Sequence, residues 1–363
     1  MVLERRLVPP TCKPLSSVAR VLDDWYVVAR SADVSRRPVS RTLLGIPLVL
    51  FRGDGGVSAL LDRCPHRNAP LSRGRVTGGR LECGYHGWQF DTGGRCRHVP
   101  GLCSEAHGKG KGRHVEAFPT TESNGFVWVY PTAGAKPTRP PYRFPHIDDR
   151  RYTTVRQIID VEGTVHATAE NALDVPHTHF LHRGLFRNEG ARHTIDVVVR
   201  RWHDRVEAQY IGEPRPEGLI GRLLAPGGGI VEHFDRFLLP SIAQVEYRLG
   251  DDAHLVATTA LTPITDWRTR MFGVVTFRLR RLPPKVGALA GRLLKPLGLA
   301  ILRQDAAMLR AQTATIRRFG GERYVSTELD VLGPAILRLL RQAERGRAAP
   351  TNEPTEKRLQ MRV

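Results

Sequence analysis

Two short segments constrain this chain more than anything else in it: Cys64-Pro65-His66 and, after sixteen intervening residues, Cys83-Gly84-Tyr85-His86. Each offers one thiolate and one imidazole, so a fold that uses them must hold two tight loops close together. That donor set suits a [2Fe-2S] cluster in which one iron takes both cysteines and the other takes both histidines. Neutral imidazoles in place of two thiolates remove negative charge from one iron and raise the reduction potential above that of an all-cysteine centre. Gly84 and Gly87 allow tight loops whose amides can point at the cluster sulfurs. A tetrahedral zinc site is the competing use of the same four side chains, but zinc usually takes two cysteines from one knuckle and two histidines from a helix. Cys12, Cys96 and Cys103 have no partner histidine at ligand spacing and read as packing residues or spare thiols.

The sequence around these loops reads as strands and turns. Apolar or β-branched runs over 25–28, 43–51, 57–61 and 125–130 are separated by glycine-rich turns, the clearest being Gly53-Asp54-Gly55-Gly56. Successive prolines in Ala135-Lys136-Pro137-Thr138-Arg139-Pro140-Pro141 cannot continue a strand or a helix, so the chain is expected to divide near residue 136. Beyond that point strand-like runs recur over 153–160, 193–200, 233–239, 245–249, 254–262 and 271–279, with helix-compatible stretches over 165–181, 299–319 and 334–344. The expectation is an α+β chain with one domain over 22–135, a second over 136–346 and a basic, frayed tail over 347–363. A hydrophobic content of 41% with 25% charged residues is ordinary globular usage and excludes wholesale disorder.

The second domain carries its own constellation, Glu170-Asn171-Ala172-Leu173-Asp174-Val175-Pro176-His177-Thr178-His179-Phe180-Leu181-His182. Two imidazoles and one carboxylate on one face of a non-heme Fe(II) leave positions open for dioxygen and substrate. On a regular helix His179 and His182 share a face, whereas His177 and His182 diverge by about 140° unless the backbone is distorted. Pro176 removes an amide donor and makes such a distortion available. Spacing alone leaves His177 and His179 as alternatives beside His182, and histidines merely lining a polar helix face are the plainer reading.

With both constellations in hand, the chain resembles the oxygenase (alpha) subunit of the Rieske non-heme iron oxygenases of the aromatic-ring-hydroxylating type. The resemblance rests on Cys64-Pro65-His66-Arg67, on Cys83-Gly84-Tyr85-His86-Gly87-Trp88, and on Asn171-Ala172-Leu173-Asp174-Val175-Pro176-His177 with His182. The last follows the family pattern of Asp, two residues, His, four residues, His. It spans about 25–319 and implies a mostly antiparallel β Rieske domain followed by an α+β catalytic domain with an antiparallel sheet and covering helices. It implies Cys64, His66, Cys83 and His86 as cluster ligands, and His177 and His182 as ligands of a mononuclear iron, with His179 a non-ligand. It further implies Asp305, in Gln304-Asp305-Ala306-Ala307-Met308, as the third iron ligand, against the plain alternative of a surface helix carboxylate.

The same resemblance places Asp174 between the mononuclear iron and the cluster of a neighbouring subunit in a ring-shaped trimer, bonded to a histidine at each centre. Its place three residues before His177 agrees with that role, and a helix N-terminal carboxylate is the alternative. The implied chemistry passes electrons from NAD(P)H through a separate flavin reductase, with or without a ferredoxin, to the cluster and then to Fe(II), where dioxygen is activated beside the substrate. Family outcomes include monohydroxylation, O- and N-demethylation and cis-dihydroxylation, and a single compact chain leans toward the monooxygenase and demethylase branches. Leu173, Phe180, Leu181, Leu185 and Phe186, with strands over 231–277, are candidate pocket residues for an aromatic or polycyclic substrate.

Charge narrows the partners. Lys plus Arg total 55 against 36 acidic residues, a net charge of +19, but only seven of the 55 are lysine and no basic block or interleaved aromatic stripe marks a nucleic-acid surface. An acidic electron-transfer protein is a better match. Pro226-Gly227-Gly228-Gly229 lacks the Lys-Ser/Thr of a phosphate cradle, and no Rossmann fingerprint is present, so the reductase is expected on another chain. The apolar stretch over 286–302 is interrupted by Arg292, Lys295 and Pro296, so a membrane span is not expected. The first residues lack the apolar segment of a secretory signal, and the odd cysteine count lacks a disulfide framework, which together point to the cytoplasm. Two rival classes remain at this level: a Rieske electron carrier whose second domain binds no metal, and a zinc-bound binding module.

Overall fold

The computed structural model describes residues 17–103, 112–182, 194–213, 231–250, 253–279, 284–346 and 353–362, without the side chains of 179, 284–294 and 297. Cys12, Leu185, Phe186 and the Pro226-Gly227-Gly228-Gly229 loop lie outside them. The described residues form two compact units, one from Leu22 to Arg143 and one from Phe144 onward that also takes in residues 17–21.

The first unit is built from short antiparallel strands. Strands β1 (Tyr26–Arg30), β2 (Val39–Leu43), β3 (Ile46–Gly53) and β4 (Gly56–Leu61) are followed by β5 (Arg75–Thr77), β6 (Arg80–Glu82), β7 (Gln89–Phe90) and β8 (Cys96–His98). The unit closes with β9 (Ala117–Phe118), β10 (Thr120–Ser123) and β11 (Phe126–Val129). They make sheets ordered β2-β3-β4-β9, β5-β6-β7-β8 and β1-β11-β10. Gly53 pairs with Gly56 across the expected hairpin. The run over 43–51 is interrupted, because Leu44 and Gly45 both take positive φ and turn β2 into β3. Leu48, Leu50, Leu60, Leu71, Leu81 and Phe90 are buried in one core beneath the cysteine loops. The proline segment stays with this unit, where Trp25 Nε1 donates to the Arg139 carbonyl at 2.8 Å.

The second unit is an antiparallel sheet covered by helices. Its elements are β12 (Thr153–Val161), α1 (Val165–Leu173), α2 (His177–Leu181), β13 (Thr194–Arg201), β14 (Arg205–Ile211), β15 (Val231–Leu238) and β16 (Ile242–Leu249). Then come β17 (Ala253–Thr265), β18 (Arg268–Leu279), α3 (Pro284–Arg318), α4 (Gly333–Glu344) and β19 (Thr355–Arg362). The eight strands run in the order β12-β18-β17-β16-β15-β14-β13-β19. Alternation along β14 and β15 buries Val206, Ala208 and Tyr210, and Phe237 beside them, in a core shared with Leu173, Leu309 and Ile336 from the helices. In α4, Ala335, Ile336, Leu339 and Leu340 form the buried stripe, each large side chain contributing about 1.5–3 kcal/mol.

Three expectations change. The stretch over 165–181 is two helices, not one: Asp174 is extended (φ −92°, ψ 108°) and Pro176 follows, a residue that disfavours a helical neighbour before it. The tail over 347–363 is not simply frayed, since β19 pairs with β13 from Thr355 to Arg362. Leu359 and Met361 turn into the core while Glu356 and Gln360 meet Arg200 and Asp196, so backbone pairing and two apolar side chains hold a strand whose composition is polar. Finally, the long helix begins at Pro284, well before residue 299, and carries Pro296 within it.

Candidate metal centres

In the first unit the two cysteine loops are built alike. The Cys64 amide donates to the Ala69 carbonyl at 2.8 Å and the Cys64 carbonyl accepts from Asn68 at 2.9 Å. The Cys83 amide donates to the Trp88 carbonyl at 2.8 Å and its carbonyl accepts from Gly87 at 3.0 Å. Asn68 and Gly87 sit at φ values of 60° and 70°, the left-handed conformation that lets each loop close and that glycine or asparagine tolerates far better than a branched residue. At Gly84 a Cβ would stand 2.9 Å from the Arg73 carbonyl oxygen, so the second loop is packed too closely for a side chain.

These loops bring together the four predicted side chains. Cys64 and Cys83 are buried neighbours, and the rings of His66 and His86 meet edge to face with centroids 4.6 Å apart. Trp88 stacks on His66 at 4.8 Å and fixes its plane. Burial, with Cys83 alongside, pushes the Cys64 thiol up to about 11, so a bound cation is needed to hold a thiolate there at neutral pH. Desolvation, then the neighbouring His86 and Arg67, lower His66 and keep its ring neutral. His66 Nδ1 is buried with no hydrogen-bond partner among the described residues. A buried lone pair without a donor beside two buried thiols fits a metal cluster. Cys96 is buried and Cys103 exposed, both unpaired to any disulfide.

In the second unit the break between α1 and α2 builds the other centre. Thr164 caps α1 by accepting from the Ala167 amide at 3.0 Å, and the helix ends at Leu173. His177 opens α2, while His182 lies just past its end with φ −111° and ψ 43°. That departure from helical geometry cancels the divergence of a five-residue spacing, and the two rings lie 5.2 Å apart at 74°. Asp305, from the middle of α3, presents Oδ1 at 3.6 Å from His177 Nε2 and 3.1 Å from His182 Nε2. One donor atom from each of the three residues lies within 4.8 Å of the others.

Each imidazole is also held from behind. His177 Nδ1 donates to the Asp174 carbonyl at 2.5 Å, and His182 Nδ1 donates to Gln304 Oε1 at 2.7 Å, which leaves both Nε2 atoms facing Asp305. Asn171 Nδ2 reaches Asp305 Oδ1 at 3.5 Å. Burial works to lower His177, but Asp174 and Asp305 more than offset it and raise the ring to about 9. Two imidazoles and a carboxylate converging this way match the facial triad of non-heme Fe(II). Asp174 lies with its Oδ2 at 3.6 Å from His177 Nδ1 and its side chain one-third exposed, so the carboxylate has room for a second partner.

A cavity of about 470 Å³ opens beside His177 and Asp174, lined also by Glu170, Met308, Tyr324 and Asp330. Leu173, Phe180 and Leu181 reach it as well, whereas no described residue of the strands over 231–277 lines it. Gln304 and Asn171 are the residues that sequence reasoning left without a role. The only signal for Gln304 was its place beside Asp305, and an amide side chain carries no ligand signature of its own.

Residues 24–119 match the family described as the Rieske [2Fe-2S] domain, and residues 161–346 match the vanillate O-demethylase oxygenase C-terminal domain. The chain is similar to the oxygenase component of dicamba O-demethylase from Stenotrophomonas maltophilia, 38% identical over 170 residues that cover 45% of this chain and 48% of that protein. It is similar to the oxygenase subunit of 3-chlorobenzoate-3,4-dioxygenase from Comamonas testosteroni, 29% identical over 254 residues, covering 68% of this chain and 57% of that one. The chain thus spans about half the length of the curated relatives it matches. In three dimensions it is similar to the crystal structure of dicamba monooxygenase bound to dicamba, with a TM-score of 0.75, 25% identity and coverage of 90% of this chain and 98% of that chain.

Proposed function

The chain belongs to the Rieske non-heme iron oxygenases, and from that premise we propose that it is the oxygenase component of a system that oxidises a hydrophobic aromatic or polycyclic molecule by monooxygenation or demethylation. The observation that carries the proposal is the convergence of His177, His182 and Asp305, with each histidine anchored through Nδ1. In this reading the unit over 22–143 is the Rieske domain and the unit that begins at Phe144 is the catalytic domain. Cys64, His66, Cys83 and His86 hold the [2Fe-2S] cluster, and His177, His182 and Asp305 hold the mononuclear iron. When bound, these groups supply one-electron storage and dioxygen activation.

The protein's own residues orient and insulate. Trp88 fixes the His66 plane, Gln304 and the Asp174 carbonyl fix the tautomers of the iron-binding histidines, and Asn171 steadies the Asp305 carboxylate. The Asp174 carboxylate, partly exposed, is assigned to bridge His177 to a cluster histidine of a neighbouring copy in a homotrimer. Electrons come from NAD(P)H through a separate flavin reductase or ferredoxin, whose acidic surface would suit a chain of net charge +19. A supply of electrons from NAD(P)H supports a cytoplasmic setting for the reaction. No described helix is long and apolar enough to cross a membrane.

Cis-dihydroxylation is the second reading, favoured by the similarity to a 3,4-dioxygenase subunit. A plain electron carrier leaves the convergence of His177, His182 and Asp305 without a purpose. The test is reconstitution with an NAD(P)H-fed reductase and a panel of aromatic methyl ethers and unsubstituted aromatics. Formaldehyde released with the phenol supports demethylation, a cis-diol supports dihydroxylation, and no coupled oxygen uptake with any member counts against both.

A further inference from the structure

Tyr152, His254 and Glu246 form a hydrogen-bonded series in the second unit to which the oxygenase reading gives no task. Arg236 and Glu246 alternate with Phe237 and Val245, so they lie on the face of the sheet turned away from the core that those two share with the helices. There the Tyr152 hydroxyl stands 2.6 Å from His254 Nδ1, and His254 Nε2 stands 2.9 Å from Glu246 Oε1. An ionised carboxylate only accepts, so Nε2 carries the donated proton, and Nδ1 of a neutral ring accepts from the phenol. The proton path from Tyr152 to His254 is already made.

The surroundings suit that series. Burial works to raise Glu246, but hydrogen bonds from His254 and Arg236 bring it down to about 2, so it is an anion at neutral pH. Arg236 reaches it at 2.5 Å and Arg248 at 2.7 Å, and Glu207 shares Arg236 at 2.6 Å, so that guanidinium does not cancel Glu246 alone. Tyr152 is half-buried, with burial raising the phenol above its ordinary range, so it carries its proton at neutral pH. His146, held at φ 55° in the left-handed region, lays its ring flat on the phenol at 4.1 Å and 5°, and the Arg278 guanidinium lies 5.7 Å from the same ring. Tyr210 gives the contrast: it stacks on His233 at 4.6 Å, yet its buried hydroxyl makes no hydrogen bond to an imidazole.

A phenol that loses an electron becomes a strong acid, so it is oxidised readily only where a base stands ready for its proton. We propose that Tyr152, with His254 as proton acceptor and Glu246 behind it, is a redox site that gives one electron to oxygen-radical oxidants leaking from uncoupled dioxygen reduction, sparing the rest of the chain. The Tyr152 O–H bond breaks, the electron reduces the oxidant to its anion, and the proton goes to His254 Nδ1. A neutral phenoxyl radical then remains beside an imidazolium bonded to Glu246. Because that radical is neutral, the nearby Arg278 charge costs it little. A small thiolate returns one electron, becoming a thiyl radical, and His254 returns the proton. The source of the oxidant rests on the oxygenase reading, whereas the chemistry of the pair does not.

The test is flash oxidation of air-oxidised holoprotein with a ruthenium photo-oxidant, for wild type, Tyr152→Phe, His254→Gln and Tyr210→Phe. Wild type should give a phenoxyl radical, seen by transient absorbance and EPR and formed more slowly in heavy water. Tyr152→Phe should lose most of that signal, Tyr210→Phe should keep it, and His254→Gln should form it slower by at least about tenfold. A signal untouched by Tyr152→Phe, or a His254→Gln rate equal to wild type, overturns the proposal. If Tyr152→Phe does not fold, the His254→Gln rate decides alone. In reductase-fed oxygen uptake without substrate, Tyr152→Phe should start at the wild-type rate and lose activity sooner, and equal loss overturns the sparing role. A protein without a third iron would instead contradict the oxygenase reading, and the flash experiment stays readable in that case.

Discussion

Without a metal, His177 is an imidazolium wedged between two carboxylates, and the iron proposed to bind there would have to expel its proton. Its Nδ1 lies 3.6 Å from Asp174 Oδ2, and its Nε2 lies 3.6 Å from Asp305 Oδ1. Burial opposes the charge, but the two carboxylates prevail and raise the ring to about 9. At pH 7 only roughly 1% of the sites then hold the neutral ring that a metal requires, a penalty of about 2–3 kcal/mol. Apparent Fe(II) affinity should therefore climb close to tenfold per pH unit from about pH 6.5 and level off above about 9. Anaerobic calorimetry on chelator-treated protein, in two buffers of different ionisation enthalpy, should count close to one proton released per iron at pH 7. Asp174→Asn removes one of the two carboxylates, so its plateau should begin at lower pH. The sign for stability follows from the same shift. A raised folded-state pKa stabilises the metal-free protein below about 6.5, and that contribution disappears as pH rises through about 9. Affinity that is flat with pH, with no proton released, would refute the reasoning.

Other residues give sharper local tests. Gln304→Leu removes the acceptor that fixes His182 and should weaken mononuclear iron binding by about 10–100-fold while leaving the cluster intact, read as iron content after dialysis. Cys64→Ser should abolish the visible absorbance of the cluster and spare metal binding at His177, His182 and Asp305, a separation that optical and metal analysis can follow. Met361→Ala takes a buried side chain from β19 and should cost about 2–5 kcal/mol, seen as a lower urea midpoint at unchanged slope.

Sequence carried much of this site because ligand chemistry is local. Cys64 and His66 lie in one loop and Cys83 and His86 in another, and each loop closes on itself through Asn68 or Gly87. The choice between His177 and His179 was different in kind. It turned on a backbone break at Asp174 and Pro176 that spacing allows but does not require, and family resemblance rather than geometry favoured His177. Long-range partners were the least legible. Gln304 meets His182 across 122 positions of chain, and residues 17–21 join the second unit through the Ser17 bonds to Thr164 and Glu322 and the paired Arg20–Asp266 contact, none of which has a periodic signature.

Strands fared according to what they bury. β14 alternates intermediate and buried positions along Arg205–Ile211, a pattern present in the sequence but hidden by its charged outward residues. β19 buries little beyond Leu359 and Met361, and its pairing with β13 is made by backbone groups that every sequence shares. The proline segment misled for a related reason: prolines end a strand without ending a unit, and the Arg139 carbonyl remains tied to Trp25.

The central claim is that one chain holds two different iron centres. The most direct measurement is iron and acid-labile sulfide analysis with EPR of dithionite-reduced, anaerobically purified protein, for wild type, His177→Ala and Asp305→Ala. The account predicts about three irons per chain and a Rieske-type signal in wild type, with both variants keeping the signal and about two irons. Two irons in wild type, or a colourless zinc protein, would contradict it.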